Sequence, residues 1–492
     1  MKPQNLAEDR ATTLDGLLRE ALRRNAGRPA VRDARRRWTY DDLAEHSERF
    51  AEGMLRRGVR GGDRVVCLLP STCEAVALLY ATIRIGAVFV PIDRETGAYR
   101  LRWLLADAEP VLVVADARRH ALVREAARIE PVAPEDLAIS PGADSAPAAP
   151  APDAVALMLY TSGTTAHPRA VVCPADRVLF AVRAIAARLR YQPTDVVLCR
   201  PPLSFDYGLY QVLLCAAAGA QLVLAGPGED AALLTTVSRA GISVLPLVPT
   251  LATLLCELGA RSGGVSGVRM VTNTGAALTA PLAARLRQTL PGAALVFMYG
   301  MTECKRISIS VPDDDLRHPG SVGPALPGTS VRVIGPHGEP LPPGETGEIV
   351  VAGPHVMSGY WRAPEQSAQR FRPDLHTGDY GRLDATGRLH IAGRRDELFK
   401  RRGARTSSQE IEAALLDLPG VEAAAAALDR DGSLVAWAVT DRGEYELREG
   451  VAQRLGFAKT PDRFVVLPRL PTTANGKVDR AALLGLERSA DR

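Results

Sequence analysis

Thr161, Ser162, Gly163, Thr164 and Thr165 place four hydroxyls and a glycine in consecutive positions, directly after an apolar run from Ala154 to Tyr160. The apolar run reads as a buried strand. A loop of this composition exposes backbone N–H groups with no bulky side chain to keep an anion away, which is how proteins cradle phosphates. Pro168 and the cation Arg169 follow, before Val171 and Val172 resume the apolar pattern. No Gly-Lys-Ser/Thr follows a glycine at Walker spacing, so the loop is of another kind.

Elements on either side must hold such a loop, and the chain is long enough to supply them. At 492 residues it exceeds the ~250–300 residues at which single cores stop growing, so two or more domains are expected. A hydrophobic content of 46% is ample for large cores, and a net charge of +4 gives no support for nucleic-acid binding. Seven cysteines without a Cys-x-x-Cys, and eight histidines without metal-ligand spacing, read as reduced buried thiols and no zinc site. The N-terminus lacks a signal pattern and no run of ~18 apolar residues exists. The expectation is a soluble cytoplasmic protein without membrane association.

The pattern alternates strands and helices. Leu14, Leu17, Leu18 and Leu22 sit at helical spacing, and Trp38–Thr39 leads into a capped helix running to Arg57. Strands are expected at Arg64–Leu69, Val88–Ile92, Val196–Leu198, Gln221–Ala225, Val244–Val248, Val268–Thr272 and Leu295–Tyr299. Helices are expected at Tyr210–Ala218 and Pro281–Leu290, and a surface loop over 141–153. This alternation predicts an α/β fold with largely parallel sheets. From about residue 320 short strands punctuated by Gly and Pro, including Val331–Ile334 and Gly347–Ala352, predict a β-rich subdomain. A compact α+β segment follows Gly393.

Five motifs, in order, resemble the AMP-forming adenylation superfamily of acyl-CoA synthetases, luciferase-like enzymes and nonribosomal peptide synthetase adenylation domains. They are Tyr160 to Thr165, Tyr299-Gly300-Met301-Thr302-Glu303, His376-Thr377-Gly378-Asp379, Gly393 to Lys400, and Pro471 to Lys477. The resemblance covers nearly the whole chain. It implies a large N-terminal domain, 1–395, with mainly parallel sheets flanked by helices and a β-rich subdomain. A small mobile α+β lid, 396–492, would carry the catalytic lysine.

The resemblance also assigns roles. Thr161, Ser162, Gly163, Thr164 and Thr165 would hold the β- and γ-phosphates of ATP, and Glu303 would ligate Mg²⁺. Thr302 would reach the α-phosphate. Tyr299 would stack on adenine beside Gly275, Ala276, Ala277, Gly300 and Met301. Asp379 would take the ribose hydroxyls, and Arg394 the ribose or phosphates. Lys477 would bridge the attacking carboxylate and the α-phosphate. Asp396 would be the hinge about which the small domain swings between half-reactions, bringing Arg402-Gly403-Ala404 to a thiol. An anion attacking a tetra-anion needs charge neutralisation and in-line positioning above all, which explains these residue types.

The loop departs from the family's usual Gly-x-Pro-Lys-Gly, reading Ala166-His167-Pro168-Arg169-Ala170. Either the alanines sit at negative φ or the loop stores ~1–2 kcal/mol of strain at each. Asp206 stands where amino-acid-activating members place the carboxylate that pairs with the substrate ammonium. The alternative is that Asp206 caps a helix beginning at Tyr207. Tyr207, Tyr210, Asn273, Thr274, Met301 and Ile307 would shape the acid pocket, whose two tyrosines point to a small or cyclic amino acid such as proline. The chain holds no phosphopantetheine attachment motif, so the acceptor would be a separate carrier protein's phosphopantetheine, or CoA. Lys400-Arg401-Arg402 could meet either. The alternative activity is a CoA ligase for a fatty or aromatic acid.

Overall fold

The computed structural model describes residues 12–140, 150–161, 168–394, 398–401, 404–429, 432–473 and 478–490. Two sheets form the large domain. The wider one orders its strands as Ser308–Ile309, Ala294–Tyr299, Met270–Asn273, Val244–Leu247, Val196–Cys199, Gln221–Leu224, Pro29–Arg32 and Arg37–Thr39, parallel except at its two edges. The second runs Leu112–Ala115, Arg64–Leu68, Val88–Pro91, Val155–Thr161 and Arg169–Pro174. Only its last pair is antiparallel. Parallel strands require crossovers, and the apolar helices between them supply both the connections and the cover.

The largest core gathers apolar residues from both sheets and from the helices between them. The helix Asp206–Ala218 is buried from Asp206 through Ala216. A helix apolar on all faces belongs inside, between layers. Its neighbour Tyr40–Arg56 begins with a capping box between Thr39 and Asp42. That box fixes the point at which the chain turns from the edge strand into the helix.

The texture change near residue 320 is a five-stranded antiparallel sheet ordered Ser321–Pro324, Arg388–Arg394, Leu375–Leu383, Gly347–Ala352 and Ser330–Ile334. The C-terminal segment has a hairpin, Leu398–Arg401 with Ala404–Ser407, and a three-stranded sheet packed by Ser408–Leu416 and Glu444–Leu455. The sequence expectation of α/β layers, a β subdomain and an α+β end is met. All seven cysteines are free and buried, and no helix among the described residues is long and apolar enough to cross a membrane.

Two local expectations change. The helix expected from Tyr210 begins at Asp206, and Phe205 is its N-cap with no side-chain cap bond. Asp206 therefore sits inside the first turn, and the capping explanation for it falls. Ala170 lies in the extended strand Arg169–Pro174, paired with Tyr160, and is not among the residues at positive φ. The strain alternative is excluded there; Ala166 lies outside the described residues.

His355, on the segment that leads toward Tyr360, is fully buried, and neither ring nitrogen has a hydrogen-bond partner among the described residues. Burial lowers its pKa to about 4, so the imidazole folds neutral. A depressed folded-state pKa contributes stability above the unfolded value near 6.5 that is lost as pH falls toward the folded one. We expect His355 to account for a loss of about 3 kcal/mol between about pH 6.5 and 4. Urea midpoints measured across that interval should fall for the wild type relative to His355→Phe, which lacks the titrating group; parallel curves would refute the assignment.

Candidate active site

In open α/β sheets ligands bind beyond the carboxyl ends of the strands. Here Thr161, the segment after Cys199, the Asn273–Thr274–Gly275 turn and Tyr299 all lie at such ends. Thr161 turns its hydroxyl to the Arg169 carbonyl (3.4 Å), at the base of the loop expected to hold phosphate. Ser162, Gly163, Thr164 and Thr165 lie outside the described residues, as do Asp396 and Lys477. Gly275 takes φ +87°, which glycine alone adopts without strain, and Gly275, Ala276 and Ala277 are exposed.

The loop from Tyr299 to Ile307 carries several of the expected site residues. Its turn is tight: a Cβ on Gly300 would meet the Lys305 carbonyl oxygen at 2.1 Å. Lys305 itself adopts φ +66°, a left-handed conformation that costs a residue with a Cβ roughly 1–2 kcal/mol. Such strain persists where the surroundings enforce it, often at functional sites. Tyr299 donates its phenolic hydrogen to Asp379 Oδ2 (2.6 Å), and Arg394 Nε lies 3.4 Å from Asp379 Oδ1. The carboxylate expected to take a diol is thus oriented by both neighbours. Burial, and then the Asp379 charge, holds the Tyr299 phenol well above its ordinary pKa, so it remains a donor. Thr302 is half-buried, and its carbonyl accepts from Lys305 Nζ (2.9 Å).

Glu303 is buried, and Tyr360 donates to its Oε1 at 2.6 Å. Among the described residues no group of three or more His, Cys, Asp or Glu could hold a metal. Mg²⁺ at phosphate sites needs only one or two carboxylates, because substrate oxygens and water complete its shell. A buried carboxylate contacted by one neutral phenol fits that requirement.

Residues expected to shape the acid pocket lie beside this loop, with Arg306 over the Tyr207 ring and Lys305 near the Tyr210 ring. Tyr207 donates to the Thr272 carbonyl (2.8 Å), while the Tyr210 hydroxyl and Asn273 Nδ2 are buried with no partner among the described residues. Thr274 is buried next to Asn273. Met301 and Ile307 pack with the Cys304, Ile349 and Leu375 core of the β subdomain, supporting the loop from behind.

Asp206 already has a cation: Arg306 Nη1 lies 3.3 Å from its Oδ2, both side chains about 5% exposed, with the guanidinium over the Tyr207 ring. Lys305 is fully buried, and its ammonium reaches the Thr302 carbonyl and Cys173 Sγ (3.3 Å). Cys173 is a thiol, since burial raises its pKa. Asp206 pairs with Arg306, and the Lys305 ammonium donates to two neutral acceptors, with the Glu303 carboxylate buried on the same loop. Sequence reasoning missed both cations and Tyr360. Adjacent Lys and Arg read as a solvated pair, and the one signal against that was their place just beyond Glu303, separated from it by Cys304 alone.

The chain matches the AMP-binding enzyme family over residues 18–361 and the AMP-binding enzyme C-terminal domain over 410–477. It belongs to that family. It is 34% identical over 92% of its length to a probable non-canonical nonribosomal peptide synthetase, CymA, of Salinispora arenicola, of which it covers 6%. It is 30% identical over 94% of its length to an L-proline–[L-prolyl-carrier protein] ligase of Pseudomonas fluorescens, covering 97% of that protein. The chain spans less than half the length of the first curated relatives it matches. A solved complex structure of VinN with L-aspartate is 40% identical, with a TM-score of 0.71, over 77% of this chain and 98% of that one.

Tyr299→Phe removes a buried hydrogen bond to a charged acceptor and should cost about 2 kcal/mol of stability. Urea unfolding checks this, and an unchanged midpoint would show that the phenol does not hold Asp379.

Proposed function

We propose that this member of the AMP-binding enzyme family is an ATP-dependent ligase that adenylates an amino acid carrying a second carboxylate. It then passes the acyl group to the phosphopantetheine thiol of a separate carrier protein. The observation that carries this reading is the buried trio Asp206, Arg306 and Lys305. A buried charge is costly unless met by its opposite. Asp206 suits a substrate ammonium, and Arg306 with Lys305 suits a carboxylate. A zwitterionic substituent entering between them would replace the internal ion pair with two intermolecular ones. The orphaned Tyr210 hydroxyl and Asn273 amide would gain partners on the same substrate. The aspartate bound in VinN has this chemistry. A proline-like acid would leave Lys305 without an anion.

In the first half-reaction the remaining carboxylate oxygen bonds to the α-phosphorus of ATP. The bond from the α-phosphorus to the bridging oxygen breaks, and pyrophosphate leaves with the electron pair. Thr161 and the loop after it hold the phosphates, Asp379 and Arg394 hold the ribose, and Lys477 neutralises the charge between the two reacting anions. Glu303 would hold Mg²⁺, which neutralises phosphate charge when bound. In the second half-reaction the thiol sulfur bonds to the acyl carbon, AMP leaves with its bonding pair, and the thiol proton passes to solvent. Asp396 is the point about which the C-terminal domain would turn between the two steps.

ATP–pyrophosphate exchange over amino dicarboxylic, neutral amino, fatty and aryl acids tests the substrate class. Amino dicarboxylic acids should exceed proline and alanine by at least about tenfold in kcat/KM, and Arg306→Ala should erase that preference. Fastest exchange with proline or an aryl acid would sink the reading. Lys477→Ala should slow exchange at least ~100-fold, as for loss of one preorganised electrostatic donor, with the fold intact by circular dichroism. A near-normal rate would remove Lys477 from the chemistry.

A further inference from the structure

The strand that follows the phosphate loop and the carboxylate of Glu303 share one neighbour, the segment from Met357 to Trp361. Met357 N–H donates to the Glu303 carbonyl (2.8 Å). Ser358 N–H donates to the Val172 carbonyl, Val172 N–H to the Gly359 carbonyl, and Trp361 N–H to the Ala170 carbonyl, at 3.1, 2.9 and 2.8 Å. Tyr360 sits at the centre of this seam. Its backbone N–H donates to Ser367 Oγ (2.9 Å) and its ring packs edge-on against Phe371 (5.7 Å between centroids), so the side chain is fixed from two sides.

Each face of the Tyr360 side chain meets a group of the site. The phenol donates to Glu303 Oε1 at 2.6 Å. The Arg169 guanidinium carbon lies 5.5 Å from the ring centroid, the geometry of a cation–π contact. Arginine stacks on an aromatic face through its flat guanidinium, which the lysine usual at this position lacks. The family's Lys is replaced, and the replacement is seated on the residue that grips Glu303.

We propose that Tyr360 is a positioning residue for the carboxylate that would hold the metal: its hydroxyl holds Glu303 Oε1, leaving Oε2 available to a cation, and its ring, by seating Arg169, ties that carboxylate to the base of the proposed phosphate loop. This rests on the reading of Glu303 as the Mg²⁺ ligand. A hydrogen-bond partner behind a ligating group fixes its orientation, and its loss commonly costs 10–100-fold in metal affinity. Tyr360→Phe removes the hydroxyl and keeps the ring under Arg169.

The test is Mn²⁺ binding to the full chain with α,β-methylene ATP, followed by electron paramagnetic resonance, for wild type, Tyr360→Phe and Glu303→Gln. Alongside it, the Mg²⁺ dependence of pyrophosphate exchange is measured. Tyr360→Phe should weaken Mn²⁺ binding about tenfold and raise the half-saturating Mg²⁺ concentration by the same factor, with the KM of the acid unchanged. Wild-type Mn²⁺ affinity in Tyr360→Phe, with binding lost in Glu303→Gln, overturns the proposal and spares the Glu303 reading. Retention of binding in Glu303→Gln overturns both. A rise in the KM of the acid equal to the rise in metal requirement would mark a general loosening and refute a specific hold on Glu303.

Discussion

The hydrogen bond from the Ile307 N–H to the Tyr299 carbonyl, 2.8 Å long, closes the loop on which the site depends. Inside it Lys305 N–H turns back to the Met301 carbonyl, and the Gly300 backbone passes so close that a side chain would not fit. One closed loop thereby sends Tyr299 to Asp379, Glu303 to Tyr360, Lys305 to Cys173 and Arg306 to Asp206. The left-handed backbone at Lys305 works against this geometry. What opposes the strain is burial of Cys304 and Ile307 in the β-subdomain core. The loop is held from behind by apolar packing so that its polar side chains can face forward.

The same logic extends to the sheets. Parallel strands deliver their carboxyl ends to one edge, and the site draws from both large sheets there. The antiparallel strand Arg169–Pro174 pairs with Val155–Thr161 beside the proposed phosphate loop, and the segment 357–361 fastens that strand to Glu303. The proposed phosphate and metal sites thus share one backbone seam, though their residues are far apart in sequence.

Much of this is legible in the amino-acid sequence. Period and punctuation place the strands, since apolar runs ending in Gly, Pro or hydroxylated residues have few other uses. The motif carboxylates Glu303 and Asp379 stand out through the resemblance of their motifs to a family; alone, Asp379 reads as a turn residue after Gly378. Relations between distant residues are not legible there. Tyr360 reaches Glu303 across fifty-seven positions, and nothing in Gly359-Tyr360-Trp361 marks it as polar in purpose. Arg306 meets Asp206 across a hundred positions, and a lone Asp before an apolar helix reads as a cap until the helix is seen to start on it. Burial decides both cases, and burial is a property of the assembled layers.

The thiols have a consequence for an enzyme of the proposed kind. An acyl adenylate is an electrophile made to be taken by sulfur, and any thiolate of the enzyme itself within reach would intercept it. Here burial raises the pKa of all seven cysteines, Cys67 and Cys199 to about 12, so that at neutral pH almost none is ionised. Even Cys173, in contact with the Lys305 ammonium, is fully buried and protonated. The protein is chemically deaf to the species it would make, and the acceptor's sulfur has no internal rival.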